Sequence, residues 1–151
     1  GEPIFLLGMA AFGISHLAYI AFYARQGRQL PFSRLLIAGI FPLVVILAMY
    51  LYVNTPPQLE IFLYGYALII GIHFMLSIGF IRQGTVSSTW PTLGAALFIV
   101  SDFLLAFALF NASSVWLRMA VMLTYALAQY LIVAGVLRTL SPSSETHQAE
   151  M

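Results

Sequence analysis

Five runs of roughly 20 apolar residues, each closed by polar or helix-ending residues, leave this chain few ways to fold. A run of that length crosses a hydrocarbon core of roughly 30 Å as an α-helix rising 1.5 Å per residue. The spans cover about Ile4 to Tyr23, Leu35 to Val53, Leu59 to Ile81, Thr92 to Phe110 and Val115 to Leu137. Between them lie Arg25-Gln26-Gly27-Arg28, Asn54-Thr55-Pro56-Pro57, Gln83-Gly84 through Trp90-Pro91, and Asn111-Ala112-Ser113-Ser114, all of helix-ending composition. The implied fold class is all-α: a polytopic membrane helical bundle over residues 1–140, followed by a polar, disordered cytoplasmic tail over 141–151. Pro91 suits a first helical turn, where its missing N–H is not needed. Pro42, inside the second span, is expected to kink it by removing a backbone bond.

Composition agrees with that solvent. Hydrophobic residues make up 62% of the chain and charged residues only 7%, which takes it outside ordinary soluble composition. A net charge of +1, with all six cations being arginines spread along the chain, offers no basic face for a nucleic acid. Without cysteine there is no disulfide, thiolate metal site or cysteine nucleophile. The first apolar run continues to Tyr23 with no basic segment ahead of it, so it does not read as a cleaved signal peptide.

Arginine placement sets an expected orientation. Arg25, Arg28 and Arg34 lie between the first two spans, Arg82 opens the third connection and Arg138 follows the last span, whereas Arg118 falls on the opposite side. The positive-inside rule makes the five-arginine side cytoplasmic, with Gly1 outside and the tail inside. Trp90 and Trp116 fall at opposite rims, where indoles favour the interface. The chain is expected to be an integral multi-pass membrane protein, in the cytoplasmic or plasma membrane if its source is bacterial.

The informative residues are the polar ones within the spans: His16, His73, Ser101, Asp102 and Gln129. Counted from the proposed cytoplasmic ends, His16 lies roughly 10 Å deep, His73 and Gln129 roughly 12 Å, and Asp102 roughly 15 Å, so four helices contribute to one polar layer. Spacing gives each helix a common face, with Tyr66, His73 and Ser77 at i, i+7 and i+11, His16 and Tyr19 at i and i+3, and Tyr125 and Gln129 at i and i+4. Gln129, Ser77 and Ser101 read best as hydrogen bonds between helices. His16 and His73 read equally as structural bonds or as proton-relaying groups. Asp102 is different, because an ionised carboxylate near mid-bilayer costs at least roughly 2.5–3.5 kcal/mol, and this points to function. The tyrosines read as packing or interface residues, and the cytoplasmic arginines as topology signals that can also hold a lipid phosphate.

Three stretches carry a resemblance. The stretch Gly8-Met9-Ala10-Ala11-Phe12-Gly13-Ile14-Ser15-His16-Leu17-Ala18-Tyr19-Ile20 resembles the G-x-x-x-F-x-x-x-H-x-x-Y segment of the YhhN-type transmembrane family, whose best-known activity is lysoplasmalogenase. Gly94 through Ala106, reading GAALFIVSDFLLA, is similar to that family's G-A-x-L-F-x-x-S-D-x-x-L-A segment, and Tyr125 through Ile132 resembles its last span. The resemblance implies about eight spans, with a Gly-Asp motif contributing a second carboxylate on the span before the first one seen here. The present sequence starts after that point and is expected to be part of a longer chain or a divergent short member.

The implied reaction is hydrolysis of the vinyl ether of a lysoplasmalogen to a fatty aldehyde and a glycerophospho-alcohol. An enol ether is activated by protonation at carbon, water adds to the resulting oxocarbenium ion, and the hemiacetal collapses. A carboxylic acid can give that proton, and a second carboxylate can stabilise the cation or activate water. The resemblance thus implies Asp102 as donor or stabiliser and His16 or His73 as an orienting or relaying group. Tyr19, Ser101, Tyr125 and Gln129 are the expected substrate contacts. No metal or organic cofactor is expected, and the expected partners are a lysophospholipid substrate and membrane lipids. The cytoplasm-side depth of the layer suits a vinyl ether just below its headgroup. Two other readings stay open: a transporter or lipid-handling protein, for which the only repeat signal is Gly13-Ile14-x-His16 against Gly71-Ile72-His73, and a non-catalytic assembly subunit in which the polar layer joins helices.

Overall fold

A computed structural model describes residues 2–26, 30–81 and 86–140; Arg28, Arg82 and the tail over 141–151 lie outside the described residues. The five expected spans are helices: α1 (Glu2–Gln26), α2 (Phe32–Tyr52), α3 (Pro57–Ile78), α4 (Trp90–Phe110) and α5 (Val115–Leu140). Each is long and apolar enough to cross a membrane. Among the described residues there is no strand, and the chain is an all-α, integral multi-pass membrane protein.

The helix limits differ from the apolar runs by a few residues, for local reasons. Pro57 and Pro91 occupy first-turn positions, so α3 and α4 start earlier than their apolar runs. α3 stops at Ile78 because the Gly79 N–H turns back to Leu76 and Ser77, ending the span before Ile81. α2 runs unbroken through Pro42, which is buried. The facing residue is Gly71, where a Cβ would fall 3.1 Å from the Pro42 Cβ, so the absent side chain leaves room for the proline ring.

α3 and α4 are the central pair: α3 packs against α1, α2 and α4, and α4 packs most extensively on α5. The α4–α5 seam is built around small residues, with Gly94 against Ala128 and Gly135 against Pro91, which lets the backbones approach closely. Ser101 Oγ donates to Val121 O at 3.2 Å and sets the register of this pair. Thr92 Oγ1 donates to Ser77 O at 3.0 Å and joins the start of α4 to the end of α3. Outward faces stay apolar; Leu43, Leu47, Leu109 and Leu123 are all more than half exposed, as residues facing hydrocarbon should be.

Antiparallel packing gathers Arg25, Arg34 and Arg138 at one end, where the Arg138 guanidinium lies 4.2 Å above the Trp90 ring. The other end carries Arg118 and exposed Trp116, and is stapled by Asn111. Its Oδ1 accepts from the Asn54 N–H at 3.0 Å, and its Nδ2 donates to Tyr52 O at 2.6 Å. Gln26 and Asn54 are exposed at opposite ends, so the arginine asymmetry yields a direct test. With single cysteines at these positions, an impermeant thiol reagent applied to intact cells should label Asn54→Cys preferentially. Preferential labelling of Gln26→Cys would invert the orientation.

Candidate functional site

The polar residues of the spans resolve into two adjacent pairs. On α3, Tyr66 turns its hydroxyl to α4 and donates to Asp102 Oδ2 at 2.9 Å. Seven residues on, His73 faces His16 of α1, with Nδ1 to Nδ1 at 2.7 Å. That contact holds one proton: one ring donates from Nδ1–H and the other accepts, so the two imidazoles carry opposite tautomers. Both histidines are buried, and His73 Nε2 has no hydrogen-bond partner. The His16 and Tyr66 rings meet edge to face at 6.2 Å, which connects the two pairs.

Asp102 is half-buried and lines a cavity of about 340 Å³ bounded by all five helices. Its polar lining is confined to Tyr66, Ser101, Asp102 and Tyr125; the remainder is apolar apart from backbone. The deepest lining residue on each helix, counted toward the arginine end, is Phe12, Pro42, Ile70, Phe98 or Tyr125. Phe98 forms part of this floor, is fully buried and packs edge-on against His16 at 4.4 Å. The histidine pair therefore lies behind the floor rather than in the cavity wall.

This arrangement separates the expected site residues. Asp102, Ser101 and Tyr125 come together on the cavity, Tyr125 edge-on to Phe12 at 5.6 Å and to Phe98 at 5.7 Å. His16 and His73 come together beneath it. Tyr19 stacks on the His73 ring at 5.2 Å and supports that pair instead of lining the cavity. Gln129, half-buried one turn beyond Tyr125, is outside the cavity lining. Ser77 donates to Phe74 O of its own helix. Tyr66, which the sequence places on the His73 face but reads only as a packing or interface tyrosine, is the residue that sequence reasoning misses; its position seven residues before His73 is the available signal.

The cavity also occupies the half of the bundle away from the arginine end, running along α4 from Phe98 to Ala106 and along α1 from Phe12 to Ile4. Depth along the helices suggested approach from the arginine side. The bulk of Phe98 and the histidine pair fills that side, and the open space lies beyond Asp102. Among the described residues, no group of three or more His, Cys, Asp or Glu side chains could hold a metal ion.

Helices and site together define a polytopic membrane protein with one acidic side chain on the wall of an apolar intramembrane cavity. The chain belongs to the YhhN family, whose model matches residues 1–136. It is 36% identical over 132 residues to lysoplasmalogenase TMEM86B of Sus scrofa, a match covering 87% of this chain and 54% of the pig protein. The chain thus spans about half the length of that relative. No solved structure matches this chain.

Proposed function

We propose that this chain carries the reacting centre of a membrane-embedded hydrolase that cleaves the vinyl ether of lysoplasmalogens, releasing a fatty aldehyde and a glycerophospho-alcohol. The observation that carries this reading is Asp102, held by Tyr66 on the wall of an otherwise apolar cavity, in a chain related to a lysoplasmalogenase. With Oδ2 engaged by Tyr66, Oδ1 is the oxygen left to act on a ligand. Asp102 gives its proton to the vinyl carbon remote from oxygen; the double-bond electrons form the new C–H bond and the charge passes to the oxocarbenium ion. Water adds to the oxygen-bearing carbon of that ion and returns a proton to Asp102. The hemiacetal then collapses, the C–O bond breaks, and the glycerol oxygen leaves protonated. One water is consumed and no electrons are exchanged.

The apolar walls hold the first carbons of the alkenyl chain, with Tyr125 and Ser101 as the polar contacts nearest Asp102. The His16–His73 pair, reaching the site through Tyr66, orients that tyrosine. Tyr19 acts through His73, and no chemical part is assigned to Gln129. The purified intact protein, reconstituted in liposomes, should release aldehyde from a lysoplasmalogen and leave the saturated 1-O-alkyl analogue uncleaved. Folded protein that moves the lipid between leaflets without releasing aldehyde would establish the transporter reading instead.

A further inference from the structure

The cavity extends toward one end of the bundle, as far as Ile4 on α1, Ala106 on α4 and Val121 on α5, and among the described residues that end holds a single cation. Arg118 stands on α5 at i−3, i−4 and i−7 from Val121, Met122 and Tyr125, so it continues the cavity-lining stripe of that helix to the membrane surface. It is exposed, and its Nη1 donates to Ser113 Oγ at 2.9 Å, which leaves most of its donors available. No acidic side chain pairs with it among the described contacts. We propose that Arg118 anchors the phosphate of the lysophospholipid and so sets the depth at which the vinyl ether meets Asp102.

Register carries the argument. The Ser101–Val121 bond places Asp102 level with the second turn of α5, and Arg118 lies one turn nearer the surface. Ser113, which the guanidinium touches, follows the end of α4 at Phe110, and Phe110 is eight residues past Asp102, roughly 12 Å along the helix. In a lysoplasmalogen, eight bonds separate a free phosphate oxygen from the vinyl carbon that accepts the proton. At about 1.2 Å per extended bond that is about 10 Å, and a charge-assisted hydrogen bond adds about 2.8 Å. The two lengths agree. The fork of a guanidinium matches phosphate oxygens, whereas Arg138 is at the far end, laid on Trp90. A lipid bound this way enters from the leaflet on the Arg118 side, in keeping with the position of the cavity.

This inference rests on the hydrolase reading for its choice of lipid, and its test is a binding measurement that needs no turnover. The intact protein in detergent is titrated with three probes: 1-O-hexadecyl-lysophosphoethanolamine, which cannot be cleaved, 1-O-hexadecylglycerol, which lacks phosphate, and glycerophosphoethanolamine, which lacks the chain. The wild type should prefer the phospholipid over the alkylglycerol by about tenfold or more, the range for a hydrogen bond to a charged group. Arg118→Gln should abolish that preference without changing alkylglycerol affinity, and Arg118→Lys should restore part of it. In hydrolysis, Arg118→Gln should raise KM far more than it lowers kcat. Full preference retained in Arg118→Gln overturns the anchor. Headgroup alone binding as tightly as the lipid also overturns it, because the site would then hold a soluble phosphate ester. Absence of aldehyde release with these binding results intact would remove the hydrolase and leave the anchor standing.

Discussion

Asp102→Asn is expected to lower aldehyde release by about 100-fold or more while the protein remains folded. The carboxamide is nearly the same size as the carboxyl, and its oxygen can still accept from the Tyr66 hydroxyl, so the α3–α4 contact survives. What disappears is the ionisable proton, and general acids of this kind contribute 10²–10⁴ in rate. A structural role would give a different pattern, since a half-buried, hydrogen-bonded carboxyl group that mattered only for packing would affect stability as much as activity. Tyr66→Phe, which leaves Asp102 in place but removes its partner, should cost less, and His16→Gln less again, because both act through Asp102. The measurements are turnover on a lysoplasmalogen and thermal unfolding in detergent, made on the intact protein. Near-normal turnover in Asp102→Asn would reject the catalytic assignment, and loss of folding together with turnover would make the residue structural.

That such a residue stands out in the amino-acid sequence reflects the solvent. In a membrane a carboxylate has no cheap place, so Asp102 differs from its neighbours by cost alone. The five spans are legible for a related reason, because length and apolarity are dictated by bilayer thickness and not by packing detail. At Pro57, Pro91 and Gly79 a local residue decides the limit, and at the other ends the helices differ from the apolar runs by at most three residues.

Contacts between helices are a different matter. Spacing places Tyr66, His73 and Ser77 on one face of α3, yet they end in three kinds of bond: to Asp102, to His16 and to the helix's own backbone. Which occurs depends on the rotation and offset of the neighbouring helices, to which apolar periodicity is almost blind when every face is apolar. For the same reason depth counting grouped Gln129 with the other polar residues, although the α4–α5 register leaves it outside the cavity lining. The two segments with a faint mutual likeness, around His16 and His73, do meet, but through a single shared proton between Nδ1 atoms.

Gly94→Ala is expected to destabilise the bundle, against the normal effect of this substitution in a helix. In an exposed helical position, Ala is better than Gly by about 0.8–1.0 kcal/mol. At Gly94 a Cβ would lie 2.7 Å from Ala128 O, 2.7 Å from Ile132 Cγ1 and 2.9 Å from Ile132 N. Two of these are backbone atoms of α5, so no rotamer change relieves the contact and the helices must separate. Overpacking of this kind costs about 1–3 kcal/mol, and separation would also strain the Ser101–Val121 bond and shift Tyr125 from the cavity wall. Gly65 provides the control: it is exposed on α3, and a Cβ there meets nothing within 4 Å. Thermal unfolding in detergent should therefore show Gly65→Ala at or slightly above the wild-type midpoint and Gly94→Ala on the order of several degrees below it. Aldehyde release should fall only in the second. Indistinguishable midpoints would mean that the α4–α5 seam yields freely and does not hold the cavity wall in place.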